Sequence, residues 1–202
     1  MRGVCRITCF FEDFAHERFI KTIIKRTGQQ AGIQAEISVR SATHGSRVWR
    51  ELEQYLRDIK EKFEPTPDVL VVVIDGNCQK EIQVRKRIRE LTSKYGFPHE
   101  YVVCAIPDPH IERWYLEDQQ ALVRVIPNAK PQKLSYKCER DRYKRALVET
   151  IRKAGIEPLL GGAEYGDEIA QLLNPSRLDR SFRNFWDELR RVFMHLRLGG
   201  GE

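Results

Sequence analysis

Three groups of oxygen-bearing side chains stand in or just beyond the ends of apolar runs: Glu12 with Asp13, Asp75 with Asn77, and Asp108 with Glu112. Two oxygen donors two residues apart, as in Asp75-Gly76-Asn77, are a usual way to hold a hard divalent cation. Several carboxylates gathered without a cation would repel one another and push their pKa values upward. A Mg²⁺ or Mn²⁺ ion relieves that repulsion, so convergence of the three groups would point to a metal site. Each group also has a local explanation. Asp75-Gly76-Asn77 has the composition of a turn, Glu12 suits a helix start, and Asp108 belongs to a proline turn. The metal reading therefore needs all three groups on one edge of one sheet.

The elements that would place them there are legible. Residues 69–74 form an unbroken run, largely β-branched, which is what a strand needs when both its faces are covered. Pro65 and Pro67 sharpen its start. In open parallel sheets ligands gather beyond the carboxyl ends of the strands, which puts Asp75 and Asn77 at the mouth of any site. Residues 6–11 read as a first strand and 101–106 as a third apolar one. Residues 33–39 alternate through Ile33, Ala35, Ile37 and Val39, a half-buried strand nearer an edge. Helices are expected over 15–26, closed by Gly28, then from a Ser46 cap to residue 63 with Trp49, Leu52, Leu56, Ile59 and Phe63 inward, then 81–95 and 111–118. This βαβαβαβ order predicts an α/β layer fold with a mostly parallel central sheet flanked by helices. After Pro131 only helices follow, over 140–154, 164–173 and 181–196. The expected division is an α/β domain over 1–125, a helical extension packed on it over 126–198, and a loose tail over 199–202.

A formal charge of +6 suits a polyanionic partner, though an excess of this size is common elsewhere, so position matters more than total. Arg85, Lys86, Arg87 and Arg89 lie on the helix after Asp75. In residues 137–153, Lys137, Arg140, Arg142, Lys144, Arg145, Arg152 and Lys153 outnumber Glu139, Asp141 and Glu149. Such clusters grip nucleic-acid phosphates without reading sequence, or else form a solvated helix face. The five cysteines make no CxxC pair and no zinc-like cluster, and read as reduced, mostly buried thiols of a cytoplasmic protein. No apolar run is long enough to cross a bilayer, so no membrane partner is expected. Among the histidines His110 stands out, between Asp108 and Glu112, although a surface position at a helix start accounts for it equally. Trp114 and Tyr115 read as packing residues.

Three stretches resemble a known family. Phe11-Glu12-Asp13-Phe14-Ala15-His16-Glu17-Arg18-Phe19-Ile20 looks like the glutamate motif that opens Toprim domains. Val72-Val73-Ile74-Asp75-Gly76-Asn77 looks like the Toprim DxD strand. Ile106-Pro107-Asp108-Pro109-His110-Ile111-Glu112-Arg113-Trp114-Tyr115-Leu116-Glu117-Asp118 is similar to a segment of small stand-alone Toprim-like proteins related to the OLD (overcoming lysogenisation defect) nucleases. The resemblance covers roughly the first 120 residues. It implies a Toprim-like, Rossmann-like fold and metal-dependent hydrolysis of phosphodiester bonds in DNA or RNA, in prokaryotic phage defence or nucleic-acid processing. It also implies an ABC-type or AAA ATPase as a partner protein. Carried over by position, Glu12, Asp75 and Glu112 would be catalytic metal ligands with Asn77 in the second DxD place. Asp13, Glu17 and Asp108 are additional candidates, and Arg85, Lys86, Arg87, Arg89, Arg142, Lys144 and Arg145 would contact nucleic acid. Asp13 stands where glycine is usual and Asn77 where aspartate is usual. An amide oxygen coordinates a metal but brings no charge, which puts a second metal at issue. The alternative is a degenerate Toprim-like domain that binds or regulates an ATPase without cleaving anything.

Overall fold

A computed structural model describes residues 4–13 and 16–199. Phe14 and Ala15, at the expected start of the first helix, and residues 200–202 of the expected tail lie outside the described residues. Four strands, β1 (Val4–Phe11), β2 (Gln34–Ser41), β3 (Val69–Val73) and β4 (Val102–Ala105), form a fully parallel sheet in the order β2-β1-β3-β4. The helices are α1 (Glu17–Ala31), α2 (Val48–Lys60), α3 (Glu81–Lys94), α4 (Ile111–Glu117), α5 (Gln119–Val125), α6 (Arg142–Lys153), α7 (Gly166–Leu172) and α8 (Arg180–Gly199). The chain steps outward from β1 to β2 and then crosses back to β3, so the strand order reverses between β1 and β3. Crevices at such a reversal are where open α/β sheets bind ligands.

Alternation along the strands feeds two cores. Ile7, Cys9, Phe11, Val69, Val71, Val73, Val103 and Ala105 face α1 and the later helices, while Phe10, Leu70, Val72, Val102 and Cys104 face α2 and α3. All five β3 residues are 0% exposed, which is why this strand carries no polar alternation. β2 is half-exposed at the sheet edge, as its pattern predicts. The later helices share the core of the α/β part. Trp114 of α4 meets Phe182 edge-on at 5.1 Å, stacks on Phe185 at 6.0 Å and donates from Nε1 to Ser181 Oγ at 2.9 Å. Among the described residues no helix is long and apolar enough to cross a membrane.

Several boundaries differ from expectation for local reasons. α1 continues through the buried Gly28 to Ala31, where Gly32 at φ 74° closes it. α2 stops at Lys60 because Lys62 takes φ 63°, and this turns Phe63 outward to 76% exposure. Ser46 lies in a 3₁₀ turn (Gly45–Arg47) and caps nothing. Gly199 is the last residue of α8, not part of a loose tail. The expectation of five reduced cysteines also fails. Cys5, Cys9 and Cys104 are free and buried, but Cys78 and Cys138 form a disulfide with Cα atoms 5.6 Å apart. A separation of 60 residues leaves no spacing signal for that pair.

Two stability tests arise from this packing. The Tyr115 hydroxyl is buried with no hydrogen-bond partner among the described residues, pressed against Gly166. A buried donor without a partner is destabilising, so Tyr115→Phe is expected to keep stability or raise it by about 1 kcal/mol. A urea midpoint that falls by a comparable amount would show that the hydroxyl has a partner after all. Glu117 accepts from Asp179 N at 2.5 Å and pairs with Arg113 at 2.9 Å, yet burial, reinforced by Asp179, pushes its pKa up to about 7. Its folded pKa thus lies above the ordinary 4.5, so the native state holds this proton more tightly than the unfolded chain. This contribution is fully present below about pH 4.5 and is lost as pH rises through about 7. Glu117→Gln removes the titration and is expected to flatten the fall in stability between about pH 5 and about pH 8, by roughly 1–3 kcal/mol. Urea midpoints at both pH values measure it, and an unchanged slope would refute the assignment.

Candidate active site

At the carboxyl edge of the sheet, pairing of Phe11 with Val73 and of Val73 with Ala105 brings the ends of β1, β3 and β4 level. Glu12 leaves β1 donating its N–H to Val73 O at 2.9 Å, and its Oε2 accepts the backbone N–H of Asp75 at 2.8 Å. Asn77 Nδ2 reaches Glu12 Oε1 at 3.5 Å. The 3₁₀ turn before α2 packs so closely on this carboxylate that a Cβ on Gly45 would lie 3.2 Å from Glu12 Oε1. After Asp75 the chain is pinned to the segment following β4, with Gly76 N donating to Pro107 O at 2.8 Å and Asn77 N to Pro109 O at 3.1 Å. Those bonds fix the β3 loop relative to His110 and Glu112 at the start of α4.

Asp75 is the hub. Its Oδ1 meets His16 Nε2 at 2.9 Å and its Oδ2 meets His110 Nδ1 at 3.2 Å, while His16 Nδ1 meets Asp13 Oδ1 at 2.7 Å. His16 is 1% exposed. Burial opposes its charge, but Asp75 and Asp13 on its two ring nitrogens together raise its pKa well above the ordinary range, which favours the imidazolium. Burial likewise opposes ionisation of Asp75, and the two imidazoles outweigh it, holding this carboxyl below its usual range. The hydrogen bond to Asp75 is the main cause of a raised pKa at His110. Glu12 and Glu112 are both pushed up, first by burial and then by the charge of Asp75. The three carboxylates thus share one electrostatic neighbourhood.

Beside them opens a cleft of about 430 Å³. Asp13, Asp75, Asn77, His110 and Glu112 line one part of it, and Arg140, Asp141 and Lys144 from the start of α6 line another. Glu12, Asp75, Asn77 and Glu112 are brought to this edge. Of the additional candidates Asp13 lines the cleft and the other two go elsewhere. Asp108 turns its carboxylate to Tyr136 Oη at 3.0 Å, and Glu17 pairs with Lys21 at 2.9 Å. Of the expected nucleic-acid contacts, Arg85 and Arg89 are bound to Glu188, Arg87 stacks on Trp49 at 3.9 Å, and Lys86 pairs with Glu90. Arg85 is largely enclosed, its side chain 15% exposed and paired with Glu81 and Glu188. Arg142 and Arg145 pair with Glu139, while Lys144 lines the cleft, as does Arg140 of the same basic cluster. His16 carried no signal in the sequence beyond its place three residues after Asp13.

The oxygen donors Glu12, Asp75, Asn77 and Glu112 suit Mg²⁺ or Mn²⁺ in type. Among the described residues, however, no three His, Cys, Asp or Glu side chains already stand as a group able to hold a metal ion. The charge that balances Asp75 here comes from His16 and His110. Compared with known proteins, the chain matches no family model, no curated protein and no solved structure.

Proposed function

We propose that this cleft hydrolyses phosphodiester bonds in nucleic acid with the help of a divalent cation. The observation that carries the reading is that Glu12, Asp75 and Glu112 stand at one carboxyl edge of the sheet, with Glu12 and Glu112 each pushed up in pKa by burial and by the charge of Asp75. Glu12, Asp75, Asn77 and Glu112 would hold Mg²⁺ or Mn²⁺, whose charge would polarise the scissile phosphate and offset the crowded carboxylates. Arg140 and Lys144 supply positive charge to flanking phosphates at the cleft wall. Asp75 orients His110 through Nδ1, which leaves proton exchange with water or the departing oxygen to Nε2. His16, held between Asp13 and Asp75, keeps Asp75 ionised and in place.

Engagement of both Asp75 oxygens by imidazoles favours a second reading, a Toprim-like domain that binds nucleic acid or an ATPase without cutting. One experiment separates them. The purified chain is incubated with single- and double-stranded DNA and RNA in Mg²⁺ or Mn²⁺, beside Glu12→Gln and Asp75→Asn. Metal-dependent cleavage that falls in both variants, furthest in Asp75→Asn, upholds hydrolysis. Cleavage unchanged in both places the activity elsewhere, and binding without cleavage selects the second reading.

A further inference from the structure

The disulfide has a place that the chemistry above does not use. Cys78 lines the cleft directly after Asn77, and Cys138 precedes by two residues the Arg140 that lines the cleft from the other side. We propose that the Cys78–Cys138 bond is a redox-reversible strap that holds the basic wall of the cleft against its acidic floor.

The two strands of the strap are anchored unequally. The β3 loop is tied down by the bonds of Gly76 N to Pro107 O and Asn77 N to Pro109 O. Residues 130–139 lie outside any helix or strand. Tyr136 Oη reaches Asp108 Oδ1, and Lys137 N donates to Tyr143 Oη, but Glu139 pairs only with Lys137, Arg142 and Arg145 from its own neighbourhood among the described residues. One end of the bond is held in uncommon backbone, with Asn77 at φ 46° and Cys78 at φ 68°, and three residues past the other end Asp141 has φ 58°. Side chains rarely adopt that region unless the surroundings impose it. The covalent link is what crosses from the anchored loop to the loosely held segment.

Its chemistry is selective. Cys78 is exposed and within reach of a small thiol, whereas Cys5, Cys9 and Cys104 are buried, with pKa values pushed up by that burial. A low-molecular-weight thiol attacks one sulfur and forms a mixed disulfide. A second reductant thiol then displaces the protein sulfur. Two reductant thiols become one disulfide, and the two electrons and two protons they give up convert Cys78 and Cys138 to thiols. The segment carrying Arg140 then loses its covalent tie to the β3 loop.

The test uses the full chain, oxidised with glutathione disulfide or reduced with dithiothreitol. Thiol titration after denaturation is expected to find the three free cysteines in the first form and all five in the second. Trypsin is expected to cut after Lys137 and Arg140 about tenfold faster or more in the reduced form, because local opening governs such cleavage. Reoxidation should restore resistance. A Cys78→Ser/Cys138→Ser chain should be cut at the reduced rate under both conditions; wild type in its two redox forms decides the matter even if that variant folds poorly. Equal tryptic rates in the two forms, failure of the pair to oxidise, or release of two thiols by a chelator in place of a reductant would each overturn the strap. Any effect on cleavage rests on the phosphodiesterase reading. A redox-dependent tryptic rate with no nuclease activity in either form would uphold the strap and reject that reading.

Discussion

Asp75→Asn is expected, on the proposed phosphodiesterase reading, to lower metal-dependent cleavage about 10³-fold, equivalent to about 4 kcal/mol of transition-state stabilisation, while leaving the fold intact. Asparagine keeps the shape and one acceptor oxygen but removes the charge that acts on Glu12, Glu112, His16 and His110 at once. Glu12→Gln and Glu112→Gln each remove one carboxylate at the periphery of that hub and are expected to have smaller effects. Asp108→Asn is the internal control. Its carboxylate faces Tyr136, so cleavage is expected to stay within about twofold of wild type. Initial rates on one substrate, with circular dichroism of each variant, measure the series. An Asp75→Asn protein as active as wild type, or an Asp108→Asn protein as inactive as Asp75→Asn, would remove Asp75 from the centre of the reaction.

Glu188→Ala is expected to reduce stability by about 3–5 kcal/mol, the usual consequence of deleting one partner of a buried ion pair. Glu188 is 8% exposed and accepts the backbone N–H of Cys104 at 3.0 Å, closing the outer edge of β4. It also binds Arg89 at 2.7 Å and Arg85, whose side chain is 15% exposed, so that this carboxylate of α8 ties two cations of α3. Without the carboxylate, Arg85 remains largely buried with Glu81 as its ion-pair partner among the described residues, and the Cys104 N–H loses its acceptor. Glu188→Gln keeps an acceptor and is expected to cost less. Removing the stranded cation as well, in Glu188→Ala/Arg85→Met, should recover part of the loss. Urea unfolding gives the midpoints. A drop below about 1 kcal/mol in Glu188→Ala would mean that water reaches Arg85 and that α3 and α8 are less tightly joined than described.

The division between what the sequence reveals and what it hides follows the range of the interactions. The run at residues 69–74 and the alternation at 33–39 report burial at each residue, and both strands lie where those patterns put them. Residue type and strand order together bring Glu12, Asp75 and Glu112 to one edge. The hidden features are choices of partner across long separations. His16 and Asp75 are 59 residues apart and Arg89 and Glu188 are 99 apart, and nothing in a run of bases tells an inward arginine from an outward one. The disulfide was hidden for the same reason. Phe63 misled locally, because helical spacing was extended past a residue whose positive φ had already ended the helix.

The placement of α8 also bears on how the chain is made. Phe182, Phe185, Leu189 and Phe193 fill the same core as β1 and β3, which are translated more than a hundred residues earlier. While the ribosome is still supplying α6 and α7, only α1, α4 and α5 cover that face of the sheet, and the part of it that α8 will fill stands open to any sticky neighbour. The amino-terminal strands must therefore wait for the last helix to emerge, and a nascent chain stalled before residue 180 is a natural client for a chaperone.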